Sequence, residues 1–341
     1  MKKPTLCLIF GGKSSEYEVS LRSAYNVLGA LDTRKYDVIK IGITKSGRWY
    51  LYSGGKEEIK NDRWSRGRCK RVSIDFARGL LAVGRKRIKP DIILPVMHGE
   101  YGEDGRIQGI FEALGVKCAG CGAFSSHTSM DKHLSKLVAS ECGVKVAKYA
   151  VLHKNDGGSV DKAREFAKES TYPVFVKPCL GGSSVGVSMV KSEEELGDAI
   201  KKAFSVSDKI LVEEKINGVE TEVGVLEIEG EMVASIAGQL SCGGEFYTYD
   251  EKYKNGKTEY IIPAEISEKT KKELGECLGK LYYALEIKGF CRFDFFALDD
   301  GTLIFNEVNT LPGFTGDSMF PKLWQYSGYS LDKLLNIILN I

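Results

Sequence analysis

Two carboxylates stand where an apolar core would be expected. The runs Arg292-Phe-Asp294-Phe-Phe and Leu303-Ile-Phe-Asn306-Glu307-Val-Asn309 are otherwise rich in aromatic and aliphatic residues, and Asp299-Asp300-Gly301 separates them. Apolar runs around an Asp-Gly turn predict a β-hairpin. Side chains alternate across a strand, so Arg292 shares a face with Asp294, and Glu307 with Asn309. A turn at 299–301 brings the two strands side by side, and Pro312-Gly313 ends the second. Three hard oxygen donors on one surface suit a magnesium ion that also holds substrate phosphates. A single acid in such a strand is as readily a solvated residue on the outer face of the hairpin. The set taken together favours a site.

The other bounds are broad. At 341 residues the chain suggests two or three compact units. A net charge of +2 excludes the basic footprint of a nucleic-acid binder. No apolar run is long enough to span a bilayer. The N-terminal Met-Lys-Lys-Pro-Thr-Leu-Cys-Leu-Ile-Phe is basic and then briefly apolar before Gly11-Gly12. It is too short for a signal h-region and reads as a first strand, so a cytoplasmic protein is expected. Nine scattered cysteines fit reduced, mostly buried thiols. Cys118 and Cys121 form a C-x-x-C without the second pair that a zinc site needs.

Leu6 to Phe10, Gly11-Gly12 and the segment from Lys13 read as strand, glycine turn and helix start, the opening of an α/β unit. Ser14 or Ser15 is placed to cap that helix, and Glu18 by default complements its dipole. Tyr36–Ile43 and Trp49–Tyr52 read as strands, and the charged stretch 53–72 as a solvated loop or hairpin. Asp91–Met97 is a buried parallel-type strand. His98-Gly-Glu-Tyr-Gly-Glu103-Asp-Gly105 follows its carboxyl end, where open α/β sheets bind ligands, and a helix begins at Ile107. A boundary near 120–123 precedes a helix with Asp131 and Lys132 in its first turn. Tyr172–Lys177 is a strand ending in lysine, followed by the Gly/Ser loop around Gly182-Ser183-Ser184. Such a loop presents backbone N–H groups that can wrap phosphate oxygens, although a plain mobile hairpin is the alternative. It lacks the P-loop pattern. Lys209–Glu220 reads as strand, turn, strand. The segment 243–257 is polar and aromatic without a period, a candidate closing loop. Thr270–Glu286 and Leu331–Leu339 carry helical apolar stripes.

Five of these stretches occur together and in order. They are GGKSSEYEVS at 11–20, HGEYGEDG at 98–105, the Gly/Ser loop, FYTYDEKY at 246–253 and the C-terminal hairpin. Over nearly the whole chain they resemble the D-alanine–D-alanine ligase family of the ATP-grasp superfamily. The resemblance implies an α/β, ATP-grasp fold of three domains. An N-terminal substrate domain would cover 1–121, a central domain 122–212 and a C-terminal catalytic domain 213–341, with the nucleotide between the last two. It implies ATP as substrate and two Mg2+ or Mn2+ ions on Asp294, Glu307 and Asn309, with Glu307 able to bridge them. Lys132, Lys177 and Lys252 would meet phosphates. Glu213 and the backbone at Ile216 would meet adenine, Glu220 the ribose, and Phe175 and Phe246 would flank the base, with Asn306 also on the nucleotide. Glu18 would meet the amino group of the first D-alanine, in a network with Ser183 and Tyr253. His98, Glu103, Ser318 and Met319 would line the D-alanine sites. Arg292 and the Gly313 N–H would stabilise the tetrahedral oxyanion. A homodimer formed through the N-terminal domain is also implied, with no membrane or nucleic-acid partner.

The implied reaction joins two D-alanines through a D-alanyl phosphate, for peptidoglycan precursor synthesis. Phosphoryl transfer is mostly positioning and charge neutralisation, which these residue types can supply. SSEYEVSL and ITKSGRWY look like vancomycin-resistance ligases of the D-Ala–D-Ser type, which is the alternative. Tyr253 argues against D-lactate, and Met319 stands where D-serine-using relatives tend to have Arg. An apolar residue there suits a methyl group, and D-alanine is expected as second substrate. Leu180-Gly181 departs from the basic or polar residues that some relatives have before the loop. An ATP-grasp enzyme with another acceptor and a non-catalytic nucleotide-binding regulator are the remaining possibilities.

Overall fold

The computed structural model describes residues 3–241 and 259–340. The first strand, Thr5–Gly11, lies at the centre of a six-stranded sheet and pairs in parallel with Asp37–Ile43 and Ile92–Val96. Both of its faces are buried, which is why it reads as a continuous apolar run. Leu6, Leu8 and Phe10 join one core with helix Tyr17–Ala30, and Cys7 and Ile9 join another with Phe111 of helix Arg106–Ala113.

The stretch 53–72 departs from the solvated loop expected of it. It contains a helix at Lys56–Lys60, a 3-10 turn at Trp64–Arg66 and an edge strand at Cys69–Arg71. Trp64 is fully buried. Its ring centroid lies 5.0 Å from that of Phe10, and its Nε1 donates to Tyr17 Oη at 3.0 Å. The lysines and arginines around it face solvent while the indole supplies the local core.

A second sheet is antiparallel, in the order Tyr149–His153, Lys209–Glu214, Val174–Pro178 and Ser188–Val190. Helices Ser159–Ser170 and Glu193–Phe204 complete its core, which draws only on residues between 152 and 212 among those described. A third sheet carries Val219–Ile228 beside the expected hairpin, Phe290–Ala297 and Leu303–Asn309. Helix Glu268–Ala284 packs on one face. Helices Met319–Tyr326 and Leu331–Leu339 pack from this sheet back onto the first helix and first sheet. No helix among the described residues is long and apolar enough to cross a membrane.

Candidate active site

A cleft of about 480 Å³ opens between the second and third sheets. Its floor is strand Val174–Pro178, whose Phe175 lies opposite Glu213 in register. Phe175 and Lys177 are two residues apart, so both present to the cleft. Lys177, Glu213, Ile216, Glu220, Phe175 and Asn306 all line it. The Gly/Ser loop closes one side. Ser183 and Ser184 both hold positive φ, 49° and 58°, a strained conformation for non-glycine residues of the kind found at ligand clamps.

Lys132 enters from helix Lys132–Glu141. Asp131 caps that helix, its carboxylate accepting the N–H groups of His133 and Leu134 at 3.0 and 3.2 Å. The other Asp131 oxygen accepts from Lys209 Nζ at 2.5 Å, tying the cap to the second sheet. Lys132 Nζ lies 3.2 Å from Glu307 and donates to the Gly181 carbonyl at 3.0 Å. It therefore links the loop to the hairpin.

The hairpin forms as expected, with one added feature. Asp294 pairs with Glu307 and Arg292 with Asn309, but Phe295 pairs with Phe305, so Asn306 is the extra residue of a β-bulge. Strict alternation would set Asn306 and Glu307 on opposite faces. With the bulge both line the cleft. Asn309 Nδ2 donates to Asp294 Oδ2 at 3.0 Å. Arg292 grips Asp294 with two parallel bonds of 2.7 Å and lies 3.0 Å from Glu222 on the neighbouring strand. Burial opposes the charge on Arg292, and Asp294 and Glu222 more than offset this, holding its pKa well above the usual range.

Asp294, Glu307 and Asn309 thus supply two carboxylates and an amide from adjacent strands, beside a lysine-lined cleft. Hard oxygen donors of this kind fit a divalent ion that shares its remaining positions with phosphates. Among the described residues there is no cluster of three or more His, Cys, Asp or Glu suited to a metal.

Glu18, expected to meet the first D-alanine, is not brought to the cleft. Glu18 is exposed and ion-paired with Lys45. Burial works against its charge, and the Lys45 hydrogen bond outweighs this to lower its pKa. Glu16 is the residue that points inward. It is 6% exposed and accepts a short hydrogen bond from Ser183 Oγ. The helix begins at Tyr17, and two residues at 100° each turn a side chain about 200° around its axis. A Cβ on Gly182 would sit 2.6 Å from Glu16 Oε2, so a larger residue there would push the carboxylate aside.

His98 is buried with both ring nitrogens engaged. Nδ1–H donates to the Leu311 carbonyl at 2.9 Å, and Nε2 accepts from Ser23 Oγ at 3.0 Å. Ser23 Oγ in turn accepts from the Phe314 N–H at 3.1 Å. His98 therefore positions the segment around Gly313 rather than offering a free nitrogen to substrate. Burial lowers its pKa to about 4, so the ring is neutral. Glu103 accepts from the Gly99 N–H at 2.7 Å. Burial first, and then the charge of Glu16, push its carboxyl well above the ordinary range.

Ser318 Oγ accepts from the Thr315 N–H at 3.0 Å and would meet a Cβ on Gly313 at 2.5 Å, so it packs closely against the Gly313 backbone. Met319 does not face an open substrate site. It is 3% exposed and packed with Leu240 and Leu323, because it begins a helix whose apolar side closes on the third sheet. Phe246, Lys252 and Tyr253 lie outside the described residues. Reading the sequence missed Glu16, Glu222 and Lys136. Glu222 was legible, since it is two residues from Glu220 on a strand and so shares its face.

Two family models divide the chain between them. "D-ala D-ala ligase N-terminus" matches residues 5–121 and "D-ala D-ala ligase C-terminus" matches 138–340. The chain belongs to the D-alanine–D-alanine ligase family. Its relatives include the D-alanine–D-alanine ligase of Clostridium acetobutylicum, 38% identical over 99% of this chain and 98% of that one. That of Caldicellulosiruptor bescii is also 38% identical, over 100% and 95%. Among solved structures, the VanG D-Ala:D-Ser ligase from Enterococcus faecalis matches with a TM-score of 0.91, 36% identity and 99% of both chains covered. The D-alanine–D-alanine ligase from Coxiella burnetii matches at 0.87 and 30%, covering 100% of this chain and 94% of that one. This ligase therefore has the ATP-grasp fold expected of it.

Proposed function

We propose that the protein joins two D-alanines at the expense of ATP, giving D-alanyl-D-alanine for peptidoglycan precursors. The observation that carries this reading is the cleft itself. Lys132, Lys177 and the Ser183 loop line it together with Asn306 and Glu307. Asp294 pairs with Glu307 in register and accepts hydrogen bonds from Asn309 and Arg292, and Glu16 accepts one from Ser183 of the loop. A carboxylate oxygen of the first D-alanine attacks the γ-phosphorus, ADP leaves, and a D-alanyl phosphate forms. The amine of the second D-alanine then attacks the carbonyl carbon and loses a proton, and phosphate leaves from the tetrahedral intermediate.

Glu16, rather than Glu18, pairs with the ammonium of the first D-alanine. Lys132 and Lys177 offset phosphate charge. Arg292 and the Gly313 N–H meet the developing oxyanion, where one donor is worth about 2.7–4 kcal/mol. Asp294, Glu307 and Asn309 would hold divalent metal, Mg2+ or Mn2+ as two ions, whose chemistry is neutralisation of the phosphates. Domain limits at 121 and 212, a cytoplasmic location and a homodimer through the first domain belong to the same reading and rest on the family resemblance.

Phosphate release from ATP that depends on D-alanine, with the dipeptide identified, tests the proposal. ATP turnover indifferent to D-alanine would overturn it. A second reading, D-serine as the second substrate, is favoured by the likeness to VanG. Rates with D-alanine and D-serine at equal concentration decide between them. We expect D-alanine to be preferred, as the names of the 38%-identical relatives suggest.

A further inference from the structure

The Glu213 carboxylate is 1% exposed and shared by two lysines. Lys177 Nζ lies 3.0 Å from one oxygen and Lys136 Nζ 3.5 Å from the other. The two cations differ in what else they can reach. Lys177 lines the cleft, with 13% of its side chain exposed. Lys136 is sealed behind Glu213, with 1% of its side chain exposed and the Phe305 carbonyl 3.5 Å from Nζ. It stands four residues after Lys132 on the same helix, so both project toward the cleft side, one into it and one beneath it.

We propose that Lys136 is a positioning residue for nucleotide binding, which keeps Glu213 charge-compensated when Lys177 turns to the phosphates. The inference rests on the reading that this cleft takes ATP. Lys177 cannot serve a phosphate and remain the sole counter-charge of a buried carboxylate. An uncompensated carboxylate in that place is strongly disfavoured and would pull Lys177 back. Lys136 is held where no ligand can draw it away, so Glu213 keeps one cation in either arrangement. A single lysine beneath the cleft floor thus leaves its partner free to move.

The test is direct binding of ATP and of adenosine, which has no phosphates, to wild type, K136M, E213Q and the K136M/E213Q double variant. In K136M the ATP dissociation constant should rise by about tenfold or more, and adenosine's by less than about threefold. In the E213Q background, where no charge needs compensating, adding K136M should change ATP affinity by less than about threefold. If K136M alone does not fold, the pair E213Q and K136M/E213Q carries the test. Equal losses for ATP and adenosine would mark Lys136 as merely structural and overturn the inference. So would a further tenfold loss of ATP affinity in the double variant, or wild-type ATP binding by K136M. Failure of the wild type to bind ATP would sink the ligase reading beneath it, a distinguishable result.

Discussion

Glu16 and Glu18 are the same residue type two positions apart, and their surroundings differ completely. One is enclosed by the Ser183 loop and the other pairs with a surface lysine. Glu16→Gln keeps the shape and a hydrogen-bond acceptor but removes the charge. It should lower kcat/KM for D-alanine by about 100-fold, whereas Glu18→Gln should stay within about threefold. Steady-state rates for the two variants decide it, and a larger effect at Glu18 would restore that residue to the site. His98 gives a second prediction. Its buried ring favours the neutral form, with a pKa of about 4 against an ordinary 6.5. A depressed pKa of this kind contributes stability that is fully present above pH 6.5 and is lost as pH falls through about 4. The contribution is on the order of 3 kcal/mol. His98→Gln should therefore flatten the stability–pH curve across that window relative to wild type, as measured by denaturant unfolding. An unchanged difference between the two proteins from pH 7 to 4 would mean that the ring is not held neutral by burial.

At the scale of elements, the strands and long helices were legible because each buries a face with a simple period. Leu331–Leu339 and Trp49–Tyr52 were read to the residue. What escaped was structure held by a few buried side chains set among charges. The apolar content of 53–72 is sparse and its charges dominate, yet Trp64 beneath Phe10, with Ile59 buried in the same core, anchors the segment. Trp64→Ala should cost about 3–5 kcal/mol, read as a lower unfolding midpoint. A cost below about 1 kcal/mol would return the segment to the status of a surface loop. The bulge at Asn306 left only a faint trace, two adjacent polar residues between Phe305 and Val308, and alternation alone would have turned one of them away from the cleft. Lys136 was hidden for another reason. Lysines spaced four apart on a helix read as a solvated face, and only the packing of that helix against the hairpin strand buries the second one. The residues that escaped, Glu16, Glu222 and Lys136, are all charged, and what hid them is burial that only the packed fold reveals.

Across the whole molecule, one core crosses the length of the chain. Leu6, Leu8 and Phe10 at the start pack in the same cluster as Phe314, Phe320, Trp324, Leu334 and Ile338 near the end. Polar contacts run the same way, from Asn26 Nδ2 to the Phe314 carbonyl at 2.9 Å and from His98 to Leu311. The central sheet keeps a separate core. The first sheet and the last two helices should therefore open together, while the central sheet opens by itself, the behaviour of distinct cooperative units. Such an arrangement keeps Glu16, His98 and the Gly313 loop in fixed relation, with the Ser183 loop reaching Glu16 from the separately packed sheet. Leu334→Ala tests it, since Leu334 is fully buried on the last helix. A loss of about 2–5 kcal/mol is expected at that site. Native-state hydrogen exchange should then show amides of 5–11 losing protection in step with those of 319–339, while amides of 174–178 and 209–214 keep theirs. Loss confined to the last helix would mean that it merely docks on a self-sufficient first sheet. Equal loss everywhere would mean that the central sheet is not an independent unit.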